Sequence, residues 1–159
     1  IALPGTGNEI VAIGESAVAL YSPERSSIMT YNTKGQMTHE HAVSESPLVH
    51  DHKGVFGPQV ADLPHNMTWF DGKRLYLFLP SMMTVSQEFD DAIGTGIALS
   101  EQLIYPTESG LNVADWDTGK VIRKIPVDRN GYSGPVSLGF TGNTIIEKRG
   151  NELVGLMPF

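Results

Sequence analysis

The chain has 159 residues and a formal net charge of −7, with 40% hydrophobic residues, 17 Gly, 10 Pro and no Cys. No Lys/Arg run exceeds two residues (Lys73-Arg74, Arg123-Lys124, Lys148-Arg149), which argues against nucleic acid or an anionic membrane surface as partner, since both need a concentrated basic face. The lack of Cys excludes disulfides, thiolate metal sites and a Cys nucleophile.

Apolar runs such as residues 75–80 are far too short to span a bilayer, so no membrane insertion is expected. A chain that begins at Ile1 reads as a processed product or an excised fragment, from which a targeting segment can have been removed. Capped helical periodicity is nearly absent. Short β-rich runs ended by Gly, Asn, Asp or Pro recur instead, and they predict strands along the whole chain.

Four hairpins follow in chain order. They span residues 11–21, 67–78, 96–106 and 136–147, and the four segments match one another. Their turns are placed at Gly14-Glu15-Ser16, Phe70-Asp71-Gly72-Lys73, Ser100-Glu101-Gln102 and Thr141-Gly142-Asn143, where Gly and Asn supply the positive φ of tight turns. Two copies extend further. IMTYNTKGQMTHEHAV (28–43) aligns with LNVADWDTGKVIRKIPV (111–127) with one insertion. Tyr31 falls on Trp116, Asn32 on Asp117, Gly35 on Gly119, Met37 on Val121, His39 on Arg123 and Val43 on Val127.

The unit is a four-stranded meander of roughly forty residues, with copies near 10–43, 65–92, 95–128 and 135–159. The second copy lacks a clear second hairpin and is read as an acidic loop over 81–95; the last stops after about three strands. The expected fold is all-β: four-stranded antiparallel meander blades in a partial or open β-propeller, residues 1–159 forming one segment of three to four blades. Such units cannot bury both faces alone and must stack. An open arc leaves strand edges unpaired, which predicts self-association or completion of the ring by another chain segment.

At LNVADWDTGKVI the chain resembles the quinoprotein-type (PQQ-like) repeat, through Val113, Ala114, Asp115, Asp117, Thr118, Gly119, Lys120 and Val121. GNTIIEKRGNELVGL (142–156) is similar to the blade start of secreted, lipoprotein-like actinobacterial members. The resemblance covers about half the chain, from Asn66 onward. It implies a propeller located outside the cytoplasm, secreted or at the cell envelope. It does not imply the quinone cofactor, since the vicinal disulfide of many quinoprotein dehydrogenases is impossible here. Aromatics at repeat positions (Tyr31, Trp69, Phe70, Trp116) are read as blade core.

Four of the five histidines fall in HEHAVSESPLVHDH: His39, His41, His50 and His52. On a strand, residues i and i+2 share a face, so His39 pairs with His41, and His50 with His52 if that stretch is extended. A turn near 44–47 would join the pairs into a site for Zn²⁺, Cu²⁺ or Ni²⁺, with Glu45 as a further ligand. The alternative is a plain sheet surface, with Met37 and Val43 beside the first pair on one face and Arg123 as the counterpart of His39. Glu88-Phe89-Asp90-Asp91 lacks the alternation of a Ca²⁺ loop and is read as solvated. Gly5-Thr6-Gly7 and Gly94-Thr95-Gly96 precede no helix and are read as turns, not phosphate cradles.

No catalytic residue and no organic cofactor is expected. The functional expectation is a non-enzymatic extracytoplasmic scaffold for protein or ligand interaction, its partner held by the variable segments 44–65 and 81–95. The alternative is a metal-binding envelope protein built on the histidine pairs.

Overall fold

A computed structural model describes residues 6–13, 16–43, 67–78, 84–99, 102–115, 117–141 and 143–156. Every element is an antiparallel strand. Sheet 1 runs β1 (Glu9–Ile13), β2 (Ala17–Ser22), β3 (Ser27–Asn32) and β4 (Met37–Ala42). Sheet 2 runs β5 (Met67–Phe70), β6 (Leu75–Phe78) and β7 (Val85–Phe89). Sheet 3 runs β8 (Ile97–Leu99), β9 (Gln102–Thr107), β10 (Gly110–Asp115) and β11 (Val121–Pro126). Sheet 4 runs β12 (Val136–Thr141), β13 (Thr144–Arg149) and β14 (Glu152–Leu156). Within each sheet, sequence neighbours are spatial neighbours, so each is a plain meander.

The inner strands, such as β6 and β9, are apolar on both sides because both sides are covered. In sheet 2, Trp69, Tyr76 and Phe78 pack against Ala19, Tyr21 and Ile28 of sheet 1. Phe70, Leu75, Leu77 and Phe89, on the other face, pack against Leu103, Tyr105 and Ala114 of sheet 3. Ile97, Ile104, Leu111 and Val113 of sheet 3 then pack against Val136, Leu138 and Ile145 of sheet 4. The indole of Trp69 is fully buried, 5.0 Å from the ring of Tyr21 and 5.5 Å from that of Tyr76. Four sheets thus share three cores. Leu20, Met29 and Tyr31 form a separate cluster on the far face of sheet 1, and no described residue of sheet 4 belongs to it. The series is open. Along one side β1 contacts β5, β5 contacts β8, and β8 contacts β12.

Among the described residues, two sheets have three strands instead of the four of a full unit. Part of the segment read as an acidic loop is strand: Glu88 and Phe89 end β7, and Phe89 is buried against Tyr105 at 4.8 Å. The chain then forms no second hairpin, because the next residues tie sheets 3 and 4 together. Ile93 N–H donates to Pro106 O (2.9 Å), while Val136 and Leu138 donate to Ile93 O (3.1 Å) and Thr95 O (3.1 Å). Gly94 belongs to this tie: a Cβ there would lie 1.6 Å from Val136 O. Close backbone approach, not a free turn, is its reason.

A bulge recurs where the third strand meets the fourth, between Thr30 and Tyr31 in sheet 1 and between Val113 and Ala114 in sheet 3. Tyr31 pairs with Met37 and Ala114 with Val121. The structural counterpart of Tyr31 is therefore Ala114 and not Trp116, which lies outside the described residues. The turn chemistry explains the displaced alignment. Asn32 Oδ1 accepts from Lys34 N and Gln36 N (both 3.0 Å), and Asp115 Oδ1 plays the same part for Thr118 N (2.8 Å). Equivalence follows the side chain that closes the turn.

Trp69→Ala is expected to lower unfolding free energy by about 3–5 kcal/mol, and Leu153→Ala, at a position 73% exposed, by less than about 0.5 kcal/mol. Urea denaturation of both variants checks this.

Candidate functional site

β4 carries His39 and His41. Paired with Thr30 and Ile28, both lie on the face toward sheet 2, beside Phe78 and Val85 in a small cleft of about 150 Å³. The bulge moves Met37 to the opposite face, beside Tyr31, so the expected grouping of Met37 with the histidines does not form. His41 Nε2 is 2.7 Å from Glu88 Oε1, and the other oxygen of Glu88 accepts from Arg74 NH1 at 2.6 Å. The Glu88 carboxylate is thus shared between His41 and Arg74. His50 and His52 lie outside the described residues, and so does the segment 44–65. Among the described residues no three His, Asp or Glu side chains gather as metal ligands.

A larger feature lies at the other end of the series. A cleft of about 650 Å³ opens between β11 and β14. Leu111, Ile145, Val154 and Leu156 give it apolar walls. Arg123, Lys124 and Arg149 add positive charge, against one acid, Asp128. In sequence these cations belong to two separate doublets, 26 positions apart from Arg123 to Arg149 (149 − 123). Register sorts them: Val113 pairs with Arg123 on the face of sheet 3 that meets sheet 4, Asn112 pairs with Lys124 on the other face, and β13 alternates Ile145, Glu147 and Arg149 toward sheet 3.

Glu147 organises this end. It is fully buried and accepts from two arginines. Arg129 donates through NH2 to Oε1 (2.7 Å) and through Nε to Oε2 (3.3 Å), and Arg149 donates through Nε to Oε2 (2.7 Å). Arg129 also donates to Thr107 O (2.6 Å), Glu108 O (3.4 Å) and Gly110 O (3.0 Å), clasping the β9–β10 turn to sheet 4. With its Nε held by Glu147, Arg149 is 7% exposed and lines the cleft; its terminal nitrogens have no partner among the described residues. Sequence reading missed Arg129, Glu147 and Arg149. The signal was available as charged residues on the inward positions of an otherwise apolar strand.

At the interface of sheets 2 and 3, Asn112 Nδ2 donates to Asp91 Oδ2 (2.9 Å) and Tyr105 Oη (3.2 Å). Burial pushes the Tyr105 hydroxyl up to about 12, with Asp91 adding to the shift and Asn112 opposing it. On the surface, hydrogen bonds from Arg25 and Ser27 hold the Glu40 carboxyl below the usual range. The Thr118 hydroxyl and backbone do the same for Asp115.

No family model and no curated protein matches the chain. Among solved structures it is similar to that of the computationally designed Ika4 protein, with a TM-score of 0.61 and 15% identity over 99% of this chain and 96% of that one. It is also similar to Kluyveromyces lactis Hsv2, with a TM-score of 0.43 and 10% identity over 95% of this chain. The match spans 47% of Hsv2. At these identities the likeness to Ika4 bears on fold alone.

Two outcomes are expected. Glu147→Gln leaves two buried guanidiniums without their anion and is expected to cost about 3–5 kcal/mol, measured by denaturation. A tyrosine whose folded pKa is raised stabilises the fold fully below its ordinary value of 10.0 and loses that contribution as pH rises toward about 12. Unfolding free energy is therefore expected to fall across that window, and to fall less in Tyr105→Phe. Phenolate absorbance against pH gives the independent readout.

Proposed function

We propose that the chain is an arc of a β-propeller of the PQQ-like kind, working outside the cytoplasm as a non-enzymatic scaffold that binds a protein partner in the β11–β14 cleft. The propeller reading is supported by consecutive meanders that share cores in series and by first strands that neighbour one another along one side. The repeat pattern over residues 113–121 supports the PQQ-like type and, with it, a secreted or envelope location.

The observation that carries the binding role is the cleft itself. It is concave and apolar-walled, and it brings Arg123 and Arg149 to one surface on a chain of net charge −7. Concave apolar surface with a few convergent charges is what recognition sites provide. Two cations beside an acid and an aliphatic wall suit a protein carboxylate better than a phosphate backbone, which demands a run of cations.

The test is quantitative affinity capture from an envelope extract of the source organism, comparing the native chain with Arg123→Glu/Lys124→Glu. Both positions are exposed, so folding is expected to be preserved. The variant is expected to lose a specific partner by about tenfold or more. Equal capture by both proteins would contradict the reading.

A further inference from the structure

We propose that Asn130 is a self-modifying site: its side chain closes on the backbone nitrogen of Gly131, and the ring reopens as an acid on the wall of the β11–β14 cleft. The modification stands on the chain alone. Its effect on capture rests on the binding role assigned to the cleft above.

Sequence and fold together single out this residue. Of the seven Asn in the chain, only Asn130 precedes a Gly. A side chain on the following residue crowds the attacking nitrogen, and glycine has none. Among the described residues, nothing lies within 4 Å of a Cβ placed at Gly131. Other Asn side chains are held. Asn32 Oδ1 accepts from two backbone N–H groups of its turn, and Asn112 Nδ2 donates to Asp91 and Tyr105. Asn130 is exposed, and among the described residues only its backbone N–H is engaged, donating to Asp128 Oδ1 at 2.8 Å.

The backbone around it is a tight turn. Tyr132 N–H donates to Arg129 O at 3.0 Å, and the Gly131 N–H has no acceptor among the described residues. Asn130 and Gly131 have φ of 51° and 79°, the positive pair of a type I′ turn. Asn is one of the few non-glycine residues that visit this region. An exposed turn of this kind opens locally at small cost, which gives the side chain access to the next nitrogen.

The chemistry needs only water. Gly131 N loses its proton to solvent base and attacks Asn130 Cγ. The N–Cγ bond forms, the Cγ–Nδ2 bond breaks, and ammonia leaves, taking up a proton in exchange. Water then adds to either carbonyl of the five-membered imide. Opening on one side gives an aspartyl residue at position 130. Opening on the other gives an isoaspartyl linkage, with one more carbon in the backbone. Nothing is oxidised or reduced.

The product falls where charge matters. Asn130 and Asp128 line the same cleft as Arg149, and Asp128 is the one acid among its described lining residues. The reaction adds a second acid. A cleft that favours a partner's carboxylate is thereby turned toward repelling it.

The test keeps the full chain, folded, in mildly alkaline buffer made with heavy-oxygen water, and follows it by peptide mass mapping. Position 130 is expected to convert first among the Asn residues, to take up solvent oxygen, and to give aspartyl and isoaspartyl products together. The rate should rise with pH, because the attacking nitrogen must lose a proton. A folded chain that keeps the amide while the guanidinium-unfolded chain converts completely would overturn the proposal, and so would an aspartyl product alone. For the cleft, Asn130→Asp is expected to capture the partner about threefold less than Asn130→Gln in the same affinity experiment. Equal capture would overturn the effect on binding. If the Arg123→Glu/Lys124→Glu comparison finds no partner, the scaffold reading fails, and the mass map still decides the modification.

Discussion

Each middle sheet of this protein has two apolar faces, and everything else follows from the need to cover both. In Leu75-Tyr76-Leu77-Phe78 consecutive side chains go to opposite sides, and all four are buried. A lone meander of that composition would expose one greasy face to water. Stacking removes it, and the stack supplies most of the stabilisation: buried aliphatic and aromatic side chains are worth about 1.5–3 kcal/mol each. The order of sheets along the chain is then the order in space, and among the described residues each shared core joins neighbouring sheets.

Polar groups enter this stack only where they are held. Glu147 has no exposed surface; its two arginines meet its charge, and backbone carbonyls accept the other Arg129 N–H groups. Replacing such a cluster with aliphatic residues is often neutral or stabilising, so its presence is weak evidence of a stability role. Its geometry suggests another part: Glu147 fixes the angle of Arg149 while Arg129 anchors sheet 4 to the β9–β10 turn. A flexible cation is thereby turned into a fixed one at the mouth of the cleft. The last sheet is thus tied to the stack by one apolar core and one ionic clasp, and among the described residues its outer strand, β14, pairs with β13 alone.

The all-β character and the hairpins were legible because they depend on local alternation and turn chemistry. Asp71 shows this: its Oδ1 closes the β5–β6 turn by accepting from Lys73 N (2.8 Å) and Arg74 N (2.7 Å), within the turn placed there from sequence. What was misread depended on register. The bulge beside Thr30 reversed the face of Met37, and Phe89 vanished into a core although its neighbours Glu88 and Asp90 suggested solvent. The pairing of His41 with Glu88 spans 47 residues and leaves no local trace. The cleft was illegible for the same reason. Counting adjacent Lys and Arg gave doublets, but strand pairing and sheet stacking bring Arg123 and Arg149 to one surface.

An open series of sheets, in which β14 has no outer partner among the described residues, is tested most directly by native-state hydrogen exchange resolved by residue. Amides of β6 and β9, inside two-sided sheets, are expected to exchange only through global unfolding. Amides of β14 that do not pair with β13 should exchange faster by orders of magnitude, through local fraying. Uniformly slow exchange across β14, equal to that of β9, would mean that another strand already occupies that edge, and would contradict the open series.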